Sequence, residues 1–429
     1  MDRRSAIKGF TTLSSVALLQ PGEWMEAMEA SYRSALVGLS KIKEIPGDGE
    51  DFWRGIREAY SCSPSIINLN NGGVSPQPRV VQEAVQYYNR MCNEAPSYFM
   101  WRVLDQGREP LREKLARISG CSAENLAIQR NSSESLETII FGLRLKAGDE
   151  VILSKQDYPN MINAWKQRAH RDGIQLKWIN LELPSEDVGY LVNAYVKEFG
   201  PRTKVVHLTH VINWNGQVLP VSQIAEEAHQ RGIEVVVDGA HSFAHLVFDI
   251  PSLKADYFGT SLHKWLSAPF GSGLLYVRKE RIRNLYPLLA AGDPESEDIR
   301  KFENLGTRSF PIEHAISHAV DFYDYLGPER KYQRLYGLQK YWSDRVKTHS
   351  KIKLNHPTST SFSGAIGNVS ILGKKPEEIS NVLFEKYKIH TVSIQWENIN
   401  GVRITPNVYT THNELDVLVK GLIKLADET

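Results

Sequence analysis

Seven short apolar runs recur between residues 126 and 277, and their spacing limits what this chain can fold into more than any other feature. They are Leu126–Gln129, Glu150–Ser154, Leu176–Leu181, Lys204–Thr209, Glu234–Asp238, Asp256–Thr260 and Gly271–Val277. Most are rich in valine, isoleucine and leucine without polar alternation, as suits strands buried on both faces. Amphipathic helical patterns lie between many of them, such as Ser133–Leu145, Asn160–Asp172 and Ser222–Arg231. Repeated strand–helix alternation predicts an α/β fold, with a large domain on a mostly parallel seven-stranded sheet and right-handed crossovers. Such sheets bind ligands outside the carboxyl ends of their strands, where the polar residues of this chain cluster.

After Thr307 the pattern changes. A long helical segment, Pro311–Ser350, leads to a strand at Gly367–Leu372 and a helix at Pro376–Tyr387. Strands near Thr391–Ile394 and Gly401–Thr405 and a last helix from Asn413 complete a smaller α+β domain. The division this predicts is 68–305 for the large domain, 306–429 for the small one, and 23–67 as a segment joining the small domain.

At 429 residues and 48.6 kDa the chain is too long for one small core. A net charge of +1 gives no bulk attraction to nucleic acid or membrane. No run reaches the roughly 18 apolar residues of a membrane-spanning helix, so no stable membrane insertion is expected. The three cysteines, Cys62, Cys92 and Cys121, show no metal-ligand spacing, and their odd number argues against a disulfide framework. Residues 1–22 differ from the rest. Paired Arg3-Arg4, Lys8 and a weakly apolar stretch from Phe10 to Leu19 resemble a twin-arginine export signal, which would place the protein in the periplasm. The alternative is a basic start to a cytoplasmic protein.

Two residues carry the chemistry. The run Val235-Val236-Val237 ends in Asp238, and Lys264 follows 26 positions later, just after Asp256-Tyr257-Phe258-Gly259-Thr260. A carboxylate and a lysine on adjacent strand ends are what pyridoxal 5'-phosphate (PLP) requires. The lysine forms the Schiff base, and the aspartate keeps the ring nitrogen protonated so that the ring is an electron sink. Lys264 sits in Ser261-Leu262-His263-Lys264, ahead of Pro269-Phe270-Gly271-Ser272-Gly273. Asp238 could instead cap a helix in its Asp-Gly turn. Asn131-Ser132-Ser133-Glu134 joins a strand to a helix, where hydroxyls, backbone N–H groups and the helix dipole suit a phosphate; ordinary serine capping reads the same.

These motifs resemble the class V aminotransferase family of fold-type I PLP-dependent enzymes. That family includes cysteine desulfurases, selenocysteine lyases, kynureninases and isopenicillin N epimerases. The likeness runs from about Asn68 to the C terminus. It is closest to the epimerase-like branch, through Leu69-Asn70-Asn71-Gly72-Gly73-Val74-Ser75-Pro76 and Asp238-Gly239-Ala240-His241. The resemblance implies Ser132, Ser133, Ser261 and His263 around the cofactor phosphate, with Tyr158 against the ring face. It implies Asn213 and His241 near the phenolic oxygen, and Arg403 and Asn71 on the substrate. Asn304-Leu305-Gly306-Thr307 resembles a segment that reaches the phosphate of a partner subunit, so a homodimer with shared active sites is expected. For Tyr158 a surface turn is the alternative, and for His241 a structural donor.

One absence narrows the reaction. Family members that take sulfur or selenium from cysteine commonly use a cysteine near the carboxylate-binding arginine. Ile389–Arg403 contains Thr391, Ser393 and Gln395 but no cysteine. The expected enzyme is therefore an isomerase or transferase acting at the α carbon of an amino-acid-like small molecule. It is epimerase-like or aminotransferase-like, through a Lys264 aldimine. A β-elimination lyase without the catalytic cysteine, and a catalytically silent PLP-fold binding protein, are the alternatives.

Overall fold

The computed structural model describes residues 49–428. The chain divides into two compact units, Met1–Gly55 and Ile56–Thr429. In the first, the described residues open a helix, Glu50–Glu58. The twin-arginine segment and most of the joining segment lie outside the described residues. Every strand and the candidate site belong to the second unit.

After a two-residue strand β1 (Ile67–Asn68), seven strands build the main sheet: β2 (Leu126–Gln129), β3 (Glu150–Ser154), β4 (Gln175–Ile179), β5 (Thr203–Thr209), β6 (Glu234–Asp238), β7 (Tyr257–Ser261) and β8 (Gly273–Val277). Their order is β2-β8-β7-β6-β5-β3-β4. The strands β3 to β7 pair in parallel, and β8 runs antiparallel between β2 and β7. The sheet is thus the mostly parallel seven-stranded one read from the sequence. Asp256 stands just outside the ladder because its buried carboxylate accepts Val235 N–H at 2.9 Å and Arg278 Nη1 at 3.0 Å. That anchoring moves β7 one residue along from the expected run.

Helices Ser132–Gly142 and Pro159–Asp172 cover one face, closing over Leu136, Ile139, Ile140, Met161 and Trp165 in the main core. Leu and Ile at helical spacing against Val on buried strands produce this seam. Gly273 is required where it stands. A Cβ there would lie 2.5 Å from the backbone nitrogen of Asn131, so β8 could not approach the turn that follows β2.

The second sheet holds β9 (Ile352–Leu354), β10 (Gly367–Ile371), β12 (Val392–Trp396) and β13 (Ile399–Ile404), antiparallel in the order β12-β13-β10-β9. A separate short strand, β11 (Ile389–His390), pairs in parallel with β1. Helix Arg79–Glu94, helix Val188–Val196 and β9 were not anticipated from the pattern. Helices Pro376–Tyr387 and His412–Asp427 pack Ile379, Leu383, Leu418 and Leu422 against Trp342 and Val402 in a second core. The expected long helical segment Pro311–Ser350 consists of two helices, Phe310–Leu326 and Pro328–Val346. Gly327, at φ 78° and ψ 128°, ends the first in a conformation that favours glycine. Pro328 opens the second, where its missing N–H is not needed. No helix among the described residues is long and apolar enough to cross a membrane.

Candidate active site

Sheet register brings the chemistry together. Thr209 is paired with Asp238, and Asp238 with Gly259, so β5, β6 and β7 end side by side. Lys264 stands three residues past β7. A small cavity opens above these ends, lined by Ser132, Tyr158, Thr209, Asn213, Asp238, His241 and Lys264.

Its electrostatics are unsettled in one direction. Asp238 is buried, and its carboxylate accepts the Ala240 N–H at 2.9 Å. Burial pushes this carboxyl above its ordinary range, against the pull of the Ala240 bond and of Lys264. Burial pushes the Lys264 amine down to about 8, opposed by Asp238 and aided by Arg403. Desolvation therefore exceeds the mutual attraction on both partners, and both lean toward neutrality. Asp157 joins them and was not anticipated. It is fully buried, accepts the Thr209 hydroxyl and the Ser154 N–H at 2.8 Å each, and is pushed up to about 7, mainly by burial. The local signal was slight: an aspartate three residues after the all-buried strand β3.

The helix Ser132–Gly142 starts at the cavity wall, capped by Asn131, whose side chain accepts Glu134 N–H at 2.9 Å. Ser261 binds this start twice, its hydroxyl accepting Ser132 N–H at 2.9 Å and donating to Ser132 Oγ at 3.0 Å. Ser133 is the next helical residue. The N–H groups of Ser132, Glu134 and Ser135 are already bonded, so the Ser133 N–H and the helix dipole are what favour an anion there. His263 does not line the cavity: its Nδ1–H donates to the Ser272 carbonyl at 3.1 Å and braces the turn after Lys264.

Arg403 enters from β13 beside Asn213. Its Nη1 donates to the Asn213 carbonyl at 3.1 Å and its Nη2 to Asn70 Oδ1 at 2.9 Å. Burial pushes its guanidinium down to about 10. Among the described residues, Arg403 Nε and Asn213 Oδ1 are buried with no hydrogen-bond partner. Tyr158, 41% exposed, precedes the helix Pro159–Asp172 and places its ring at the cavity.

Two anticipated residues stand elsewhere. Asn71 is fully buried, and its amide is consumed internally: Nδ2 donates to Asn68 O and Thr405 O at 3.1 and 2.8 Å. Its Oδ1 accepts from Asn68 Nδ2 at 3.1 Å and Tyr409 OH at 2.6 Å. The neighbouring Asn70 reaches Arg403 instead, because consecutive residues here point to opposite sides of the chain. Thr307 lines a separate concavity with Arg108, Arg130, Phe302 and Ile316, outside the cavity of its own chain.

A hairpin of β12 and β13 carries Arg403. Trp396, at its tip, stacks on Trp214 with ring centroids 5.1 Å apart and donates to Lys155 O at 2.7 Å. Trp214 Nε1 donates to Gln156 O at 2.9 Å. The stack therefore joins the loops that carry Tyr158 and Asn213 to the strand that carries Arg403. None of Cys62, Cys92 and Cys121 lines the cavity.

These residues fit PLP. A carboxyl held up by burial suits a ring N–H, a lowered amine suits an aldehyde carbon, and a helix start suits a phosphate. The unpartnered oxygen of Asn213, a residue of the cavity lining, leaves further polar capacity there.

Comparison with known proteins agrees. The aminotransferase class-V family model matches residues 66–418. An isopenicillin N epimerase of Streptomyces clavuligerus is 31% identical over 394 residues, spanning 88% of this chain and 99% of that protein. A probable cysteine desulfurase of Halalkalibacterium halodurans is 25% identical over 384 residues, spanning 84% and 93%. Among solved structures, a C-DES variant with glycine covalently linked to its PLP cofactor superposes with a TM-score of 0.76 at 22% identity. That match covers 86% of this chain and 99% of the other.

Proposed function

The chain belongs to the aminotransferase class-V family and takes PLP as its cofactor, and from that premise we propose that it moves a proton at the α carbon of an amino acid. A peptide with a free α-amino carboxylate is included in that substrate class. The observation that carries this is a lowered lysine amine and a buried aspartate facing one cavity, with an arginine fork beside it.

Bound PLP supplies an electron sink for the pair left on the α carbon. Lys264 would anchor the cofactor, Asp238 would hold its ring nitrogen, and Ser132, Ser133 and Ser261 would hold its phosphate. Tyr158 would cover the ring and keep water off it. Arg403 would receive the substrate carboxylate, with its plane already set by Asn213 and Asn70. Lys264, whose amine burial already lowers in the cofactor-free protein, would be the base that takes and returns the α proton. The epimerase relative, covered over 99% of its length, supports epimerisation first and transamination second. The cysteine-free cavity disfavours a persulfide on this chain and keeps β-elimination as the third outcome.

Homodimerisation is part of this reading, supported by Thr307 lying outside its own chain's cavity. The test is incubation of the PLP-loaded protein with an amino-acid panel in deuterated water. Deuterium at Cα with loss of chirality selects epimerisation, and oxo-acid with aminated cofactor selects transamination. Absence of exchange and product from every member sinks the catalytic proposal for those substrates.

A further inference from the structure

Behind the cavity, two buried rings determine which way His241 can bond. Trp265 Nε1 donates to His241 Nδ1 at 3.3 Å. An indole N–H can only donate, so His241 Nδ1 carries a lone pair, and the proton of the neutral ring sits on Nε2. That Nε2 faces Lys264 Nζ at 3.3 Å. A second ring supports the first: His245 stacks on Trp265 with centroids 4.0 Å apart and planes 17° from parallel. The Ala365 N–H donates to His245 Nε2 at 2.7 Å, which puts the His245 proton on Nδ1. That proton is donated to the His241 carbonyl, also at 2.7 Å. Lys331 Nζ bonds the Trp265 carbonyl and fixes the backbone between the rings.

We infer that Trp265 and His245 are positioning residues that lock His241 as a neutral Nε2–H donor, so that whatever stands before Nε2 is offered a hydrogen and never a lone pair. Every cationic neighbour opposes a second proton on His241. Lys264, Arg403 and His245 face it, and Lys331 and His210 stand next to His245. Burial alone already pushes the imidazole well below its ordinary range. In the cofactor-free protein the acceptor is the Lys264 lone pair, present once the amine has released its proton above about pH 8, and the donor holds it aligned. With PLP bound, on the reading given under Proposed function, the acceptor would be the phenolic oxygen that the family resemblance puts near His241. A fixed donor suits an oxygen that carries negative charge.

The lock is read directly in cofactor-free protein labelled with ¹⁵N-histidine, with His241 assigned by its loss in His241→Gln. The expected spectrum has an unprotonated Nδ1 and a protonated Nε2 between roughly pH 8.5 and 9.5, where Lys264 is mostly neutral. A proton on Nδ1, or an imidazolium in that range, overturns the inference without any variant. Trp265→Phe keeps a ring for His245 to stack on and deletes only the N–H. It should give His241 a mixture of tautomers and lower PLP affinity roughly tenfold in an absorbance titration, the worth of about one oriented hydrogen bond. Wild-type tautomer and affinity in that variant also overturn it. If wild-type protein has the expected tautomer but takes up no PLP, the inference about His241 stands and the PLP reading falls.

Discussion

Replacing Lys264 by methionine should make the cofactor-free protein more stable at neutral pH, although it removes the residue on which the proposed chemistry depends. Burial pushes the Lys264 amine from its ordinary 10.5 down to about 8, with Arg403 adding to the effect and Asp238 opposing it. The unfolded chain keeps a proton on this amine up to pH ~10, whereas the folded chain releases it near 8. At about 1.4 kcal/mol per tenfold change in proton affinity, holding the charged lysine in the fold at pH 7 costs about 3 kcal/mol. Methionine fills similar space without the charge. At pH 7 the charged Lys264 has no lone pair, so His241 Nε2–H loses no acceptor in the exchange. The net gain is therefore about 3 kcal/mol. Its pH dependence is equally specific. Between about 8 and 10.5 the unfolded chain binds a proton that the folded one does not, so wild-type stability rises with pH relative to the variant. The advantage of Lys264→Met should shrink across that range and vanish or reverse above it. Urea unfolding of stripped wild-type and variant proteins at several pH values measures this. A variant no more stable than wild type at pH 7, or a difference that does not change with pH, would refute the reasoning.

Further outcomes are expected. Arg403→Lys keeps a charge but loses the fork oriented by Asn213 and Asn70, so kcat/KM should fall about 10- to 100-fold, mostly through KM, in steady-state assays of any substrate that exchanges its α proton. Trp396→Ala removes the stack on Trp214 and the bond to Lys155 O, and should cost about 2 kcal/mol in urea unfolding. An unchanged midpoint would show that the hairpin tip is not held there. Gly273→Ala places a carbon 2.5 Å from the Asn131 nitrogen and should push the start of the Ser132 helix out of position. The protein should then lose PLP on dialysis, followed by absorbance, and full retention would argue against a phosphate site there. Arg3→Lys/Arg4→Lys should shift the protein from periplasmic to cytoplasmic fractions if the twin-arginine reading is right, and equal distribution of both forms would dismiss it.

The main sheet was legible because its strands are buried on both faces and therefore unbroken in the sequence; three of the seven expected spans coincide with the observed ones residue for residue. The helix break at Gly327-Pro328 was missed although its signal is local, because apolar periodicity continues across it. Lys264 and Asp238 could be paired from spacing alone, since strand ends in a parallel sheet converge. Asn70 and Asn71 could not be told apart. Which of two adjacent amides meets Arg403 depends on contacts with Thr405 and Tyr409, more than 330 positions away. Asp157 and the chain from Trp265 to His245 were hidden for the same reason: their meaning lies in partners brought in by other elements.

The Trp214–Trp396 stack has a bearing on how such proteins can be recombined. Arg403, proposed to receive the substrate carboxylate, lies on the hairpin of β12 and β13, which makes this hairpin an obvious cassette for exchange between relatives. Yet its tip is registered against a tryptophan about 180 positions earlier and against the carbonyl of Lys155. A grafted hairpin without its matching residue at position 214 would arrive with Arg403 in sequence but out of place in space. Libraries aimed at new specificity should therefore vary the two positions as one unit, and chimeras should be cut outside 155–214 as well as outside 389–404.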